Sequence, residues 1–352
     1  MKRLGNFPGH ELDSRSRDLI SNELWKHVAR INQCINTALL DYFSGAGCVF
    51  LLAPSTTRLL SSPKSVYSKK SRGYVAEAEP MRLEWFGKSK QMFLSQSAQI
   101  YMEMYTAIPG IKGVYAITDS FRKEASGPTH LAEFHMVECE MKISQKENKK
   151  FILNMVRSVV KRLVSKNLSD LSFFLLDEDT EQLKKMTGGR FGTELTFEQA
   201  MDMLHTSTRN RKYTRLTTKN FGAWEEVKLT SELDDMAIVT QFPFDEGAFY
   251  QARIKRGEIE VGDNADFIWP YFREIAGSTH RARSFRELSA AIKRFNLPME
   301  DYSQYLETRR SRDYVETSGF GLGWERFVQA LLKMPYVQSV TPFPRVEYAL
   351  LP

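Results

Sequence analysis

Apolar residues return at helical spacing over residues 19–44, where Leu24, Val28, Ile31, Ile35 and Leu39 share one face. This predicts a long helix. The following run, Cys-Val-Phe-Leu-Leu-Ala-Pro at 48–54, reads as a buried strand stopped by Pro54. Residues 55–80 are rich in Ser, Thr, Lys and Arg and predict a mobile loop. Two strands are expected at 113–121 and 133–143, joined by the polar stretch 122–132. Because successive side chains in a strand point to opposite faces, Phe134, Met136, Glu138 and Glu140 fall together. His135, Val137, Cys139 and Met141 fall on the other face. Two carboxylates beside an aromatic ring suit a cavity wall better than a core. Residues 147–166 have the apolar stripe of an amphipathic helix. Thr196 with Gln199 forms a capping box that opens a helix over 197–204. Strands with Gly and Pro turns fill 236–283, and helices are expected over 284–296 and 325–334. Strands and helices do not alternate as βαβ units. The predicted class is therefore α+β, a mainly antiparallel sheet flanked by helices. No linker divides residues 1–352, so one domain is expected, with 144–235 a helical and loop insertion.

Composition narrows the class. Hydrophobic residues make up 42% and charged residues 26% of the 352, which excludes collagen-like and disordered chains. Cys34, Cys48 and Cys139 are scattered and odd in number, forming neither a disulfide framework nor a CxxC motif. That pattern suits a reducing compartment, and a cytoplasmic location is expected. The basic start MKRLGNFPGHELDSRSRD has no apolar core behind it, unlike a signal peptide. No stretch reaches the ~18 apolar residues of a membrane span. A net charge of +6 suits an anionic partner such as ATP, pyrophosphate or RNA. Arg209, Arg211, Lys212, Arg215 and Lys219 gather around Tyr213; this run is either a solvated loop or a phosphate-binding arm.

Three constellations carry chemistry. Phe121-Arg122-Lys123-Glu124 opens the loop between the paired strands, and His130 and Phe134 close it. A planar, always-charged guanidinium suits polyphosphate, and an aromatic ring can stack on a base. Asp266 and Glu274 lie eight residues apart around a Pro-Tyr-Phe turn. Two carboxylates brought together across a turn suit Mg²⁺, which binds through one or two carboxylates plus substrate phosphates. Finally, glycine alternates with large apolar residues in GFGLGWER at 319–326, before a helix. Period-two glycines let another group approach a strand closely. The histidines lack zinc-binding spacing, and neither GxSxG nor a Walker loop occurs.

These constellations, in this order, resemble the signature motifs of class II aminoacyl-tRNA synthetases, and most closely those of asparaginyl enzymes. Pro54 resembles the proline that ends the first motif, a dimer-interface element; FRKEASGPTHLAEFHMVECEM at 121–141 is similar to the second and GFGLGWER to the third. FLSQSAQIYMEM at 93–104, FPFDEGAFY at 242–250, DFIWPYFREIAGSTHR at 266–281, EDYSQYLETRR at 300–310 and TPFPR at 341–345 extend the likeness over residues 22–346. The resemblance implies ATP and Mg²⁺ as cofactors and a homodimer. It implies that Arg122 holds the α-phosphate, that Phe134 and Arg326 cover the two faces of adenine, and that Glu124 and His130 complete the ATP site. Asp266 and Glu274 would bind Mg²⁺. Gln99 and Glu138 would bind the substrate α-ammonium, and Glu103 and Arg309 would read its side-chain carboxamide. Met102 stands where aspartyl enzymes place a lysine, which favours asparagine or an analogue over aspartate.

Some positions depart from the pattern. Thr129 replaces the basic residue before His130 that grips the γ-phosphate. Val315-Glu316-Thr317-Ser318 replaces a segment with histidine, and Gly247 replaces the lysine of KAFY. The acidic, glycine-rich loop after Pro54 is not evident; an insertion running to Glu84 takes its place. About 20 residues precede the first helix, too few for the oligonucleotide-binding barrel that reads an anticodon. The same absence marks archaeal asparagine synthetases, and AEAEPMRLEWFG at 76–87 resembles their insertion. The acceptor is accordingly left open between tRNA, ammonia and a small amine or peptide. A non-catalytic relative that binds an amino acid or a protein is the remaining alternative.

Overall fold

An eight-stranded sheet organises the computed structural model, which describes residues 12–67, 79–189 and 191–349. In chain order its strands are β1 (Cys48–Phe50), β2 (Gly113–Phe121), β3 (Glu133–Met141), β4 (Thr193–Thr196), β5 (Ala237–Thr240), β6 (Asn264–Ile268), β7 (Glu274–His280) and β8 (Ser318–Gly323). Their spatial order is β1-β2-β3-β8-β7-β6-β5-β4. Only the outermost pairs, β1 with β2 and β4 with β5, run parallel; the six central strands form an antiparallel array. This is the α+β layering expected from the sequence.

The long N-terminal helix is broken. Helices span Arg15–Ser21 and Leu24–Gly45, and Asn22 between them is extended. Its Oδ1 accepts the Leu24 backbone N–H at 3.0 Å, an Asx-type cap that restarts the helix. Strand β1 covers only Cys48–Phe50 of the expected apolar run. Within the expected loop, residues 56–57 form a strand and 64–67 a helical turn, and residues 68–78 lie outside the described residues. The segment 76–78 of the insertion lies outside them as well.

Helices Leu24–Gly45 and Gln145–Lys166 cover one face of the sheet, where Phe43 stacks on Tyr115 at 4.6 Å between ring centres. The opposite face carries the cavity. Stretch 144–235 is mostly helical, yet it also supplies β4, so it extends the sheet. A second core of Ile100, Phe249, Leu288, Ile292, Tyr302 and Tyr305 supports the far wall.

Two of the three alternating glycines of β8, Gly319 and Gly321, answer a close approach. A Cβ on Gly319 would collide with the Glu140 carboxylate and the Arg281 guanidinium, and one on Gly321 with the Met136 methyl. Gly319 thus makes room for a buried ion pair, and Gly321 keeps the cavity floor open.

Candidate active site

The strand pattern of β3 turns Phe134, Met136, Glu138 and Glu140 to the cavity face. Phe134 and Met136 line a cleft, together with Arg122, Glu124, His130, Glu274 and Arg326. The Arg122 guanidinium lies over the Phe134 ring, 5.1 Å from its centre. Arg326, in the first turn of the helix Trp324–Leu331, donates to the Glu274 carbonyl at 3.2 Å and the Thr129 carbonyl at 3.5 Å. Burial, then Arg326, Arg273 and Arg122, hold the His130 imidazole down to about 4. A neutral His130 can accept a hydrogen bond or donate one without adding charge.

Asp266 on β6 pairs in register with Gly277 on β7. The missing side chain at Gly277 leaves space toward which Glu274 and Asp266 both lean, their oxygens 3.1 and 3.5 Å from where a Cβ would sit. Burial raises Asp266 well above the usual carboxylate range, and Glu274 and Glu226 raise it further. Burial also raises Glu274, with Glu226 adding to it against the neighbouring arginines. Carboxylates crowded in this way are poised to ionise when a dication arrives.

Farther along β3, Glu138 is fully buried and accepts from Thr118 Oγ1 at 3.0 Å, from the Ala98 N–H at 2.8 Å and from the Ser97 hydroxyl. Burial pushes its carboxyl up, and a bound ammonium would pull it down. Gln99 opens the helix Gln99–Thr106, and its Oε1 accepts from Arg281. Its Nε2 is buried with no hydrogen-bond partner among the described residues. Held by Arg281, Gln99 Oε1 keeps a second lone pair with which it can accept from an ammonium beside Glu138. One helical turn on, Glu103 pairs with Arg309, and Tyr305 Oη donates to Glu103. Arg309 also packs over the rings of Tyr305 and Tyr314, at 4.5 and 5.0 Å. Burial lowers its guanidinium to about 10. In this arrangement the two expected carboxamide readers bond to each other.

The family model of class II tRNA synthetases (D, K and N) matches residues 10–347, nearly the whole chain. The protein belongs to this class II tRNA synthetase family. It is 29% identical over 343 residues to the asparagine–tRNA ligase of Lactobacillus johnsonii, covering 95% of this chain and 73% of that one. The asparagine–tRNA ligase of Clostridium kluyveri is 31% identical over 270 residues, covering 74% and 56%. Among solved structures, the asparaginyl-tRNA synthetase of Pyrococcus horikoshii complexed with asparaginyl-adenylate superposes with a TM-score of 0.84. That match has 26% identity and covers 99% of this chain and 74% of that one. As a member of this family the protein is an ATP-dependent ligase.

The synthetase carries residues to which sequence reasoning gave no specific role. Arg281 and Glu140 form a buried ion pair, Arg281 Nη2 donating at 2.6 Å. Arg281 is 141 positions from its partner, and no local pattern links them. Only the glycine alternation that makes room for the pair hinted at it. Tyr305, Ser97 and Thr118 join the site as hydrogen-bond partners of Glu103 and Glu138. Arg273 and Glu226 join beside Glu274, where Arg273 Nε donates to Glu226 Oε2 at 3.0 Å. No helix among the described residues is long and apolar enough to cross a membrane.

Proposed function

We propose that this synthetase activates asparagine with ATP and Mg²⁺ and transfers it to tRNA. The observation that carries the substrate reading is the buried Glu103–Arg309 pair under Tyr305. A carboxamide brings one acceptor and two donors, so it can part the pair and bond both members. An aspartate carboxylate would face Glu103 as a like charge in a dry site, an unfavourable contact. Asp266 and Glu274 fit Mg²⁺: all oxygen donors, side by side, with phosphates completing the shell. The ion would neutralise phosphate charge there.

The remaining chemistry belongs to the chain. Glu138 holds the α-ammonium and turns the substrate carboxylate toward the phosphates. That carboxylate attacks the α-phosphorus in line; the bond to the β-phosphate oxygen breaks and pyrophosphate leaves. Arg122 stabilises the charge of the crowded phosphorus, and Phe134 and Arg326 hold the adenine between them. A ribose hydroxyl of the acceptor then attacks the activated carbonyl, and AMP leaves. The exposed cations Arg209, Arg211, Arg215 and Lys219 precede the helix Ala223–Leu233, whose Glu226 reaches Arg273. A phosphate backbone could lie there on its way to the site.

Pyrophosphate release with a panel of amino acids, and AMP release with total tRNA or with ammonia, test this reading. Asparagine-dependent release followed by tRNA-dependent AMP release is expected. AMP release driven by aspartate and ammonia would replace the acceptor. No release with any amino acid would end the catalytic reading.

Removing the charge of Glu103 tests the substrate pocket. Glu103→Gln is expected to weaken asparagine by about 10- to 100-fold in kcat/KM, as lost charged hydrogen bonds do. The preference over aspartate should narrow at the same time, measured as the ratio of the two kcat/KM values. An unchanged ratio would place selection elsewhere.

We further propose a homodimer across β1. This edge strand exposes Val49 and Phe50, and Leu52 beyond it is 85% exposed. An apolar edge of this kind invites a second chain. Phe50→Asp is expected to shift the mass by light scattering from dimer to monomer. A wild-type monomer would refute the assignment.

A further inference from the structure

Beside the cleft, bonded to its lining residue Thr129, stands a cation to which neither the motifs nor the family match gives a role. Arg273 sits in the turn between β6 and β7, immediately before Glu274. Its backbone is fixed, because the Trp269 N–H donates to the Arg273 carbonyl at 3.0 Å. Its side chain is fixed too: Nε donates to Glu226 Oε2 at 3.0 Å and Nη1 to Thr129 Oγ1 at 3.0 Å. Glu226 Oε2 also accepts the Glu274 N–H at 3.3 Å, tying this corner to the carboxylate pair. The side chain remains 22% exposed, on the rim of the site.

Thr129 is therefore held from two sides, by Arg273 on its hydroxyl and by Arg326 on its carbonyl. Two guanidinium groups on one neutral residue repel each other. Glu226 offsets one of them, and its carboxylate is shared. Arg122 and Arg326 line the cleft and Arg273 bonds Thr129 at its edge; burial, then all three guanidinium groups, lower the His130 imidazole. Such a convergence is stabilised by a multiply charged anion, and a guanidinium fork fits phosphate oxygens two at a time. Arg122, against Phe134, is at the base and α-phosphate end. Arg273 is at the other end, beside Glu274 and the residue that replaces the basic one before His130.

We propose that Arg273 is a phosphate-binding residue that holds the pyrophosphate end of ATP, in place of a cation at position 129. The cation has moved from the loop between β2 and β3 to the turn between β6 and β7, and Thr129 hands it a hydroxyl to rest on. This assignment rests on the adenylate-forming reading of the site. Its test is nonetheless a binding measurement that stands apart from catalysis.

Titration calorimetry with ATP, pyrophosphate and AMP is carried out on the wild type, Arg273→Ala, Arg273→Lys and the double variant Thr129→Arg/Arg273→Ala. Arg273→Ala should weaken ATP and pyrophosphate by about 10- to 100-fold, the range for hydrogen bonds to charged groups. AMP, which lacks the terminal phosphates, should change by less than about 2-fold, within the scatter of a substitution that touches no bound group. Arg273→Lys should fall between, since it keeps the charge and loses the fork. The double variant should recover most of the pyrophosphate affinity. Equal weakening of AMP and pyrophosphate would make Arg273 a scaffold for the Thr129 corner and overturn the proposal. Unchanged pyrophosphate binding would overturn it as well. If the wild type binds both phosphates yet releases no pyrophosphate with any amino acid, the catalytic reading fails while the Arg273 assignment is still decided by these affinities.

Discussion

Arg122→Ala is expected to lower asparagine-dependent pyrophosphate release by about 10³-fold in kcat, the effect of deleting one preorganised donor to a developing charge. That corresponds to roughly 4 kcal/mol of transition-state stabilisation. The argument rests on how the side chain is prepared. Arg122 follows the last residue of β2, and its backbone N–H is anchored to the Ala132 carbonyl at 2.9 Å. Phe134, on the neighbouring strand, carries the guanidinium 5.1 Å from its ring centre and limits where the charge can swing. Little reorganisation is left for the moment of reaction. The loss should fall on kcat more than on the KM for ATP, because the charge at the α-phosphorus grows in the transition state. Arg122→Lys should recover only part of the rate, since a point charge cannot bond two oxygens. A kcat within about tenfold of wild type would move the main stabilising charge to another residue.

The gathering of Arg122, Glu124, His130 and Phe134 on one cleft was legible in the sequence, and the reason is local. Arg122, Glu124, His130 and Phe134 lie within one strand–loop–strand unit, so alternation and turn chemistry suffice to bring them together. Asp266 and Glu274 flank a single turn, and Gly277 opposite Asp266 admits both. The helix break at Asn22 was hidden because the apolar period runs through it; only the side-chain cap reveals it. Glu103 and Arg309 were singled out in the sequence, but their pairing was not. They stand on different helices, and nothing in their spacing says that they bond to each other. Arg273 escaped for a similar reason. It is 144 positions from Thr129, and the loss of a basic residue in one loop reads as a weakened site until the fold brings a replacement from another.

Arg281→Ala is expected to cost about 3–5 kcal/mol of stability, the usual consequence of leaving one half of a buried ion pair without its partner. Glu140 and Arg281 are both fully buried. Arg281 Nε reaches both carboxylate oxygens at 3.1 Å, and Nη1 donates to Thr279. The guanidinium also lies 5.1 Å from the Tyr250 ring centre. Deleting it strands a carboxylate in a dry site and removes the hydrogen bond that fixes Gln99. Urea unfolding should show a lower midpoint with an unchanged slope, since the surface exposed on unfolding is nearly the same. Replacing both partners with apolar residues of similar size, Glu140→Leu with Arg281→Met, should return much of the loss, because no charge is then left unpaired. The same double variant should stay impaired in amino-acid binding, because Gln99 loses the donor that orients it. A single variant that unfolds within about 1 kcal/mol of wild type would mean that water or a side-chain shift reaches Glu140, and that the pair orients the substrate pocket without securing the fold.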